Sequence, residues 1–396
     1  MKILLADDDK VTRIRLTAYL HGWGHEVLAA ADGLEAWERF RKEPCWLVVS
    51  DWQMPGMNGV ELVQRIRADA KPGNYVYVIL LTSRSEKSDL VEGMEAGADD
   101  FVSKPFDKEE LRVRIRAGER VIQLERALAE GYQQLAAVNN RMRESLEAAA
   151  RIQRAFLPKT GQVFPGVRAA WRYLPCDELA GDTLNILCLD DEHLCFYVAD
   201  VCGHGVAASL LSITLSRLMS KGAGTEGVLI RHRPDGDAPE PVGPAEVARH
   251  LNERFPWNPE AMEYFTLFYG LLNVRTRQLR YVCAGHPRPV LVPATAPAER
   301  LLSDPPAVGL LPGAEFVEHT MRLAPGDRLY AFTDGLVEAL SPVEEEFGEE
   351  RLVAAAATRR SRDLPDSIHA LVEDVDAWRG RGEPADDQCI IGLEIT

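Results

Sequence analysis

Residues 1–118 predict an α/β domain on a doubly wound, five-stranded parallel sheet. Residues 119–157 predict a helical linker, and residues 158–396 a second domain of mixed α and β structure. Three observations underlie this division. Apolar runs alternate with helical patterns through the first segment, apolar residues then keep a seven-residue period, and strand-like runs become frequent beyond residue 167.

In the first segment Ile3–Ala6 is an apolar run without polar interruption, as a parallel strand buried on both faces requires. Helical spacing over Val11–Leu20 follows, then a strand at His25–Ala30, a helix at Leu34–Phe40 and a strand at Leu47–Ser50. The pattern repeats as a helix at Gly59–Ala68, a strand at Val76–Leu81, a helix at Leu90–Ala96 and a short strand at Asp100–Ser103. Asp107-Lys108-Glu109-Glu110 then opens a long helix with acid in its first turn. In such a sheet the site lies at the carboxyl ends of the strands.

From Val121 the helix keeps a heptad. Val121, Leu128, Leu135, Met142, Ala149 and Phe156 share one position; Leu124, Val138 and Ile152 share the other, with Gly131 and Ser145 as weak layers. A parallel dimeric coiled coil, and hence a homodimer, is the favoured reading. A single helix packed on its own domains is the alternative. Pro158 is expected to stop the helix.

Beyond it, strands are expected at Val167–Tyr173, Thr183–Leu189, Leu194–Asp200, Phe265–Asn273, Leu279–Ala284, Val290–Val292, Arg328–Thr333 and Gln388–Ile395. Helices are expected at Val206–Leu218, Pro244–Phe255, Gly348–Ala357 and Leu364–Arg379, with a mobile Pro- and Gly-rich loop at Arg231–Pro244.

The bulk numbers suit this organisation. A length of 396 residues accommodates two domains and a linker. A net charge of −16 opposes nucleic-acid and anionic membrane partners. The chain opens directly on a strand, and no apolar run reaches the length of a membrane span, so a cytoplasmic protein without a membrane partner is expected. The 7 Cys include no C-x-x-C; Cys188, Cys195, Cys202 and Cys283 lie in apolar segments, the pattern of buried reduced thiols.

Two acidic groups stand where strands run out: Asp7, Asp8 and Asp9 with Asp51, and Asp182, Asp200, Asp334, Asp386 and Asp387. Two carboxylates about 4 Å apart repel by roughly 4 kcal/mol at an effective dielectric near 20. A hard divalent cation with oxygen ligands relieves that repulsion, so each group is a candidate metal site.

The first segment resembles the CheY-like receiver domain of bacterial response regulators, on A-D-D-D, S-D-W-Q-M-P-G-M-N-G, L-L-T-S and S-K-P-F at matching intervals. The resemblance implies that Asp51 accepts a phosphoryl group from a histidine kinase. It also implies that Asp8 and the Gln53 carbonyl hold Mg²⁺ with Asp51, and that Asp7 acts through water. Lys104 would pair with the phosphoryl oxygens and Thr82 would bond to them. The aromatic switch position, Tyr in many receivers, is Phe101, which has no hydroxyl to bond.

The second segment resembles the SpoIIE-like branch of the metal-dependent, type 2C (PPM) serine/threonine phosphatases. The matching stretches are A-A-R-I-Q-R-A-F-L-P, A-G-D-T-L-N, A-D-V-C-G-H-G-V-A-A-S-L, M-E-Y-F-T-L-F-Y-G, A-G-H-P-R-P, A-V-G-L-L-P-G, the run from L-A-P-G-D through F-T-D-G-L-V-E-A, and D-D-Q-C-I-I. The resemblance implies an antiparallel β-sandwich flanked by helices, with two Mn²⁺ or Mg²⁺ at one end. Asp200 would bridge the metals beside the Val201 carbonyl. Asp334 and Asp386 would complete one site and Asp182 the other. Gly203 and Gly205 would let backbone approach a metal. His204 reads as a turn residue or a support for the site rather than a general acid, and Asp387 as a weak ligand or an orienting group. The family pattern G-G-D-x-x-D is altered, with Ala180 for the first Gly and Asn185 for the second Asp. Asn185 could still bond a metal-held water, but it brings no charge.

Together these resemblances imply a two-component response regulator whose Asp51 controls dephosphorylation of a phosphoserine or phosphothreonine protein. The substrate they suggest is a STAS-type anti-sigma-factor antagonist, in partner switching. The alternative is a catalytically silent binding module that sequesters a partner. A diguanylate cyclase output does not fit, since Asp182 is followed by Thr183-Leu184. A DNA-binding output lacks a basic helix-turn-helix pattern.

Overall fold

The computed structural model describes residues 1–43, 45–69, 75–83, 91, 93–159, 164–203, 205–221, 227–231, 239–257 and 264–396. They form two compact units, Met1–Arg141 and Met142–Thr396. No helix among the described residues is long and apolar enough to cross a membrane.

In the first unit β1 (Lys2–Ala6), β2 (Glu26–Ala30), β3 (Leu47–Asp51), β4 (Tyr77–Thr82) and β5 (Asp100–Ser103) make one parallel sheet. Its order, β2-β1-β3-β4-β5, is that of a doubly wound fold. Alternation along the strands buries both faces. Leu4, Val48, Val78 and Leu80 enter one core, while Ile3, Leu5, Val49, Ile79 and Leu81 enter the other. Helices α1 (Lys10–Gly22), α2 (Gly33–Lys42) and α3 (Gly59–Ala68) begin on side-chain caps. Asp9 accepts the Val11 and Thr12 amides, and Asn58 and Glu61 form a capping box. Of the helix expected over 90–96, residues 90 and 92 lie outside the described set; 91 and 93–95 are helical.

Helix α4 (Lys108–Arg154) runs unbroken for 47 residues, so the expected boundary at 118/119 falls inside it. Leu111, Ile115 and Ile122 pack on the receiver-like sheet, and the Arg126 guanidinium lies 3.7 Å from the Trp46 ring centroid. Further along, Leu124, Leu128, Tyr132, Leu135, Val138 and Met142 are each more than half exposed. The helix ends at Arg154, before Pro158 is reached. The amides of Ala155, Phe156 and Leu157 bond three residues back, tightening the last turn and closing the helix.

In the second unit the strands are β6 (Val167–Leu174), β7 (Thr183–Cys188), β8 (His193–Val201), β9 (Ile230–Arg231), β10 (Glu240–Pro241), β11 (Phe265–Asn273) and β12 (Gln278–Ala284). They continue as β13 (Val290–Val292), β14 (Glu299–Arg300), β15 (His319–Arg322), β16 (Arg328–Phe332) and β17 (Gln388–Ile395). Two five-stranded antiparallel sheets, β15-β12-β11-β8-β7 and β14-β13-β16-β17-β6, pack face to face. The short β9–β10 pair occupies part of the expected loop at 231–244, of which 232–238 lie outside the described residues.

Each sheet is buried on both faces. Along β8, Leu194, Phe196 and Val198 enter the inter-sheet core, and Cys195, Tyr197, Ala199 and Val201 meet α5 (Val206–Leu218) and α6 (Pro244–Arg254). Along β16 and β17, Leu329, Ala331, Ile391 and Leu393 point inward, and Tyr330, Phe332 and Ile390 meet α7 (Gly348–Thr358) and α8 (Leu364–Arg379). The result is a helix–sheet–sheet–helix sandwich. All seven Cys are free; Cys195 and Cys283 are buried as expected, but Cys202 is exposed because it falls in the turn after Asp200.

Candidate active sites

Parallel register places the first acidic group. Ala6 pairs with Ser50 and Thr82 with Ser103, so Asp7, Asp51, Thr82 and Lys104 all emerge at one edge of the sheet. One ligand atom each from Asp7, Asp8 and Asp51 lies within 4.8 Å of the others. Lys104 Nζ is 2.9 Å from both Asp7 Oδ2 and Asp51 Oδ2. Burial pushes the Asp7 carboxyl up against the pull of Lys104. Burial also pulls Lys104 down, but the two carboxylates outweigh it and hold the ammonium above its ordinary value. Gln53 and Asp8 line a cavity of about 760 Å³ beside this edge. Thr82 is fully buried. Phe101 on β5 is half-buried and lines a separate cavity of about 420 Å³ with Val91, Met94 and Glu95.

The second group gathers at one end of the sandwich. Asp182 leads into β7, Asp200 sits near the end of β8, Asp334 opens a 3-10 turn after β16, and Asp386 and Asp387 lead into β17. A Cβ on Gly335 would meet the Asp387 carbonyl at 2.1 Å, so the turn after Asp334 requires glycine. Gly203 and Gly205 have φ of +85° and +84°, conformations an L side chain avoids. His204, between them, lies outside the described residues. The Val201 carbonyl lies against the Asp182 loop: a Cβ on Gly181 would be 3.1 Å from its oxygen.

The carboxyls perturb one another. Burial, then Asp334 and Asp386, push Asp200 up to about 7. Burial, then Asp386 and Glu338, push Asp334 up to about 6. Burial, Asp200 and Asp387 push Asp182 up as well, and its Oδ2 is buried without a hydrogen-bond partner. Buried and half-buried acids that raise each other's pKa, with an orphaned oxygen among them, fit a divalent cation.

Asp387 is otherwise engaged. It accepts the Cys176 amide at 2.8 Å, the Gly181 amide at 2.7 Å and the Asp182 amide at 3.4 Å, so it shapes the loop that carries Asp182. Asn185 is turned away from the acids: its amide donates to the Phe156 carbonyl at 2.6 Å, just past the end of α4. The sequence leads one to expect the helix end Ile152–Leu157 to abut this segment and order its acidic site, but it does not single out Gln153. This buried side chain donates to Ala180 O at 2.6 Å and Ser212 Oγ at 2.9 Å, and accepts the Ala180 amide at 3.2 Å. The last turn of α4 is thereby bonded to the residue two before Asp182. A polar residue next to the heptad position of Ile152 was the available signal.

His286 was also missed. It is 2% exposed, its Nδ1 lies 2.7 Å from Thr266 Oγ1, and burial pushes it down to about 3.

Comparison with known proteins matches residues 3–116 to the response regulator receiver domain and residues 190–396 to Stage II sporulation protein E (SpoIIE). Asp182 and Asn185 precede the second match. Protein IcfG of Synechocystis sp. is 30% identical over 227 residues, covering 53% of this chain and 35% of that protein. The transcriptional regulatory protein TctD of Salmonella typhimurium is 44% identical over 117 residues, covering 30% of this chain and 51% of that protein. The chain thus spans about a third to a half of the length of these curated relatives. The SiaA-PP2C domain of Pseudomonas aeruginosa superposes with a TM-score of 0.55 at 19% identity, over 66% of this chain and all of that domain, a likeness of fold. The chain belongs to the SpoIIE family: it joins a response-regulator receiver domain to a SpoIIE domain whose fold is like that of a PP2C domain.

Proposed function

We propose that this chain is a two-component response regulator whose output is metal-dependent dephosphorylation of a phosphoserine or phosphothreonine protein. The observation that carries the proposal is the convergence of Asp182, Asp200 and Asp334, all with raised pKa, beside Asp386. A phosphoseryl group carries nearly two negative charges near neutral pH, and bare carboxylates would repel it. Asp200, Asp334 and Asp386 would hold one Mn²⁺ or Mg²⁺, and Asp182 and Asp200 with the Val201 carbonyl the other. When bound, such a pair supplies positive charge to the phosphoryl oxygens and activates water. The chain's own part is positioning. Asp387 fixes the Asp182 loop through three amides, and Gly335 lets the Asp334 turn lie against it.

In the receiver, Asp51 would accept the phosphoryl group from a histidine kinase, with Mg²⁺ on Asp8, Asp51 and the Gln53 carbonyl and with Asp7 acting through water. Lys104 already reaches the Asp51 carboxylate, and Thr82 stands at the same sheet edge. Phe101 would swing as the switch ring. The signal would pass along the linker helix as a population shift. Its terminal turn offers the contact, since Gln153 bonds Ala180 and Ser212. The exposed apolar residues from Leu124 to Met142 support a homodimeric coiled coil. The working division is receiver 1–118, linker 119–157 and phosphatase domain 158–396. The substrate proposed is a STAS-type anti-sigma-factor antagonist, and the compartment the cytoplasm.

A second reading, a silent module that sequesters a partner, is favoured by Asn185, whose amide serves Phe156 instead of the acidic group. The deciding experiment is Mn²⁺-dependent hydrolysis of para-nitrophenyl phosphate, then of a phosphoprotein. Wild type is compared with Asp200→Asn, with and without beryllofluoride to mimic phospho-Asp51. Turnover lost in Asp200→Asn supports the phosphatase. Absence of Asp200-dependent turnover on either substrate supports the silent module.

A further inference from the structure

His286 lies in the connection between β12 and β13, at the end of the sheet where β8 delivers Asp200. Its backbone carbonyl accepts Ser303 Oγ at 2.7 Å and Cys283 Sγ at 3.4 Å, so the ring is held from behind. In front, Nδ1 meets Thr266 Oγ1, and Thr266 stands directly opposite Asp200 in the β11–β8 pairing. Nε2 is buried without a partner in hydrogen-bonding geometry.

A histidine used only to fill space is an unfavourable choice here, since an apolar side chain would strand no polar atom. What a neutral imidazole adds is a rigid ring with one donor and one acceptor on opposite sides. We propose that His286 is a positioning residue of the metal centre: anchored at its backbone by Ser303 and Cys283, it braces Thr266, which pairs with Asp200, and so sets the position of the Asp200 carboxylate beside Asp334. This inference rests on the phosphatase reading above. Groups that orient metal ligands without touching the metal typically change affinity or activity by about 10- to 100-fold when removed.

The test is Mn²⁺ titration calorimetry on the full chain, with metal-free thermal unfolding alongside, for wild type, His286→Ala, His286→Asn and Thr266→Val. Asn places a polar atom near the Nδ1 position and can keep the Thr266 bond. Thr266→Val removes the hydroxyl and leaves the ring in place, so it carries the test should His286→Ala fail to fold. The expected result is Mn²⁺ binding about 10- to 100-fold weaker in His286→Ala and about 10-fold weaker in Thr266→Val, with substantial rescue in His286→Asn. Turnover on para-nitrophenyl phosphate should fall at fixed Mn²⁺ while KM stays put. Folded variants with lowered metal-free Tm but wild-type Mn²⁺ affinity would overturn the proposal and leave His286 as packing. If wild type itself takes up no Mn²⁺, the phosphatase reading falls and takes this inference with it.

Discussion

Replacing Asp200 by Asn should stabilise the metal-free protein, although it removes a proposed metal ligand. Asp200 is held near 7 in the fold, against an ordinary value of 3.8, chiefly by burial and then by Asp334 and Asp386. A folded pKa above the unfolded one means that the native state binds the proton more tightly. The carboxyl is therefore harmless below about 3.8, and its destabilisation grows as pH rises toward 7, where it levels off. Moving a carboxyl from 3.8 to about 7 corresponds to about 4 kcal/mol. Sharing that repulsion with Asp334 reduces the single-site effect to about 2–4 kcal/mol, or very roughly 4–16 °C in Tm for a unit of this size. The assay is thermal unfolding of chelated protein from pH 4.5 to 8. Asp200→Asn should gain over wild type up to about pH 7 and hold that gain above it. Saturating Mn²⁺ should reverse the order, because about 1,000-fold excess over Kd adds about 4.1 kcal/mol to a protein that binds it. A variant less stable than wild type without metal, or a gap that does not change with pH, would refute the electrostatic account.

Other perturbations have equally definite outcomes. Gln153→Ala strips the Ala180 amide of its partner and should cost about 1–3 kcal/mol in denaturant unfolding of the second unit, with turnover falling further than stability. Paired Leu135→Asp and Met142→Asp substitutions should convert dimers to monomers in light scattering; unchanged dimers would remove the coiled coil. Lys104→Met should abolish the effect of beryllofluoride on turnover while leaving basal turnover intact, since its contacts are with Asp7 and Asp51.

Much of this was legible in the sequence because strands announce their ends. Uninterrupted apolar runs that close on Asp located Asp7, Asp51 and Asp200 before any coordinates, and alternation of runs with helical spacing specified the parallel sheet. Short strands were not legible: Glu299–Arg300 is exposed and His319–Arg322 half-exposed, edges with no apolar pattern, and register with β13 and β12 creates them. Asp9 looked like a third member of its cluster, yet its oxygens cap α1. Asp387 and Asp386 are adjacent and identical in type, and only the amides of Cys176, Gly181 and Asp182 separate an orienting carboxylate from a candidate ligand. The helix stop was placed at Pro158 because proline is the visible breaker, whereas backbone bonds in a tightened turn end the helix at Arg154. Gln153 and His286 escaped notice because their partners, Ala180 and Thr266, lie 27 and 20 residues away.

The two acidic groups differ in how their charge is balanced. The receiver's carboxylates have a counter-ion written into the chain, Lys104, within 2.9 Å of two of them. What faces Asp182, Asp200 and Asp334 is burial and further carboxylates. On the proposed reading, the receiver adds one borrowed Mg²⁺ to its own Lys104, whereas the other acidic group borrows all its cations from the surroundings. A chelator should therefore loosen the phosphatase domain and leave the receiver intact. Divalent-ion supply then becomes a second input to the protein, acting on the output at Asp200 as well as through the Mg²⁺ beside Asp51.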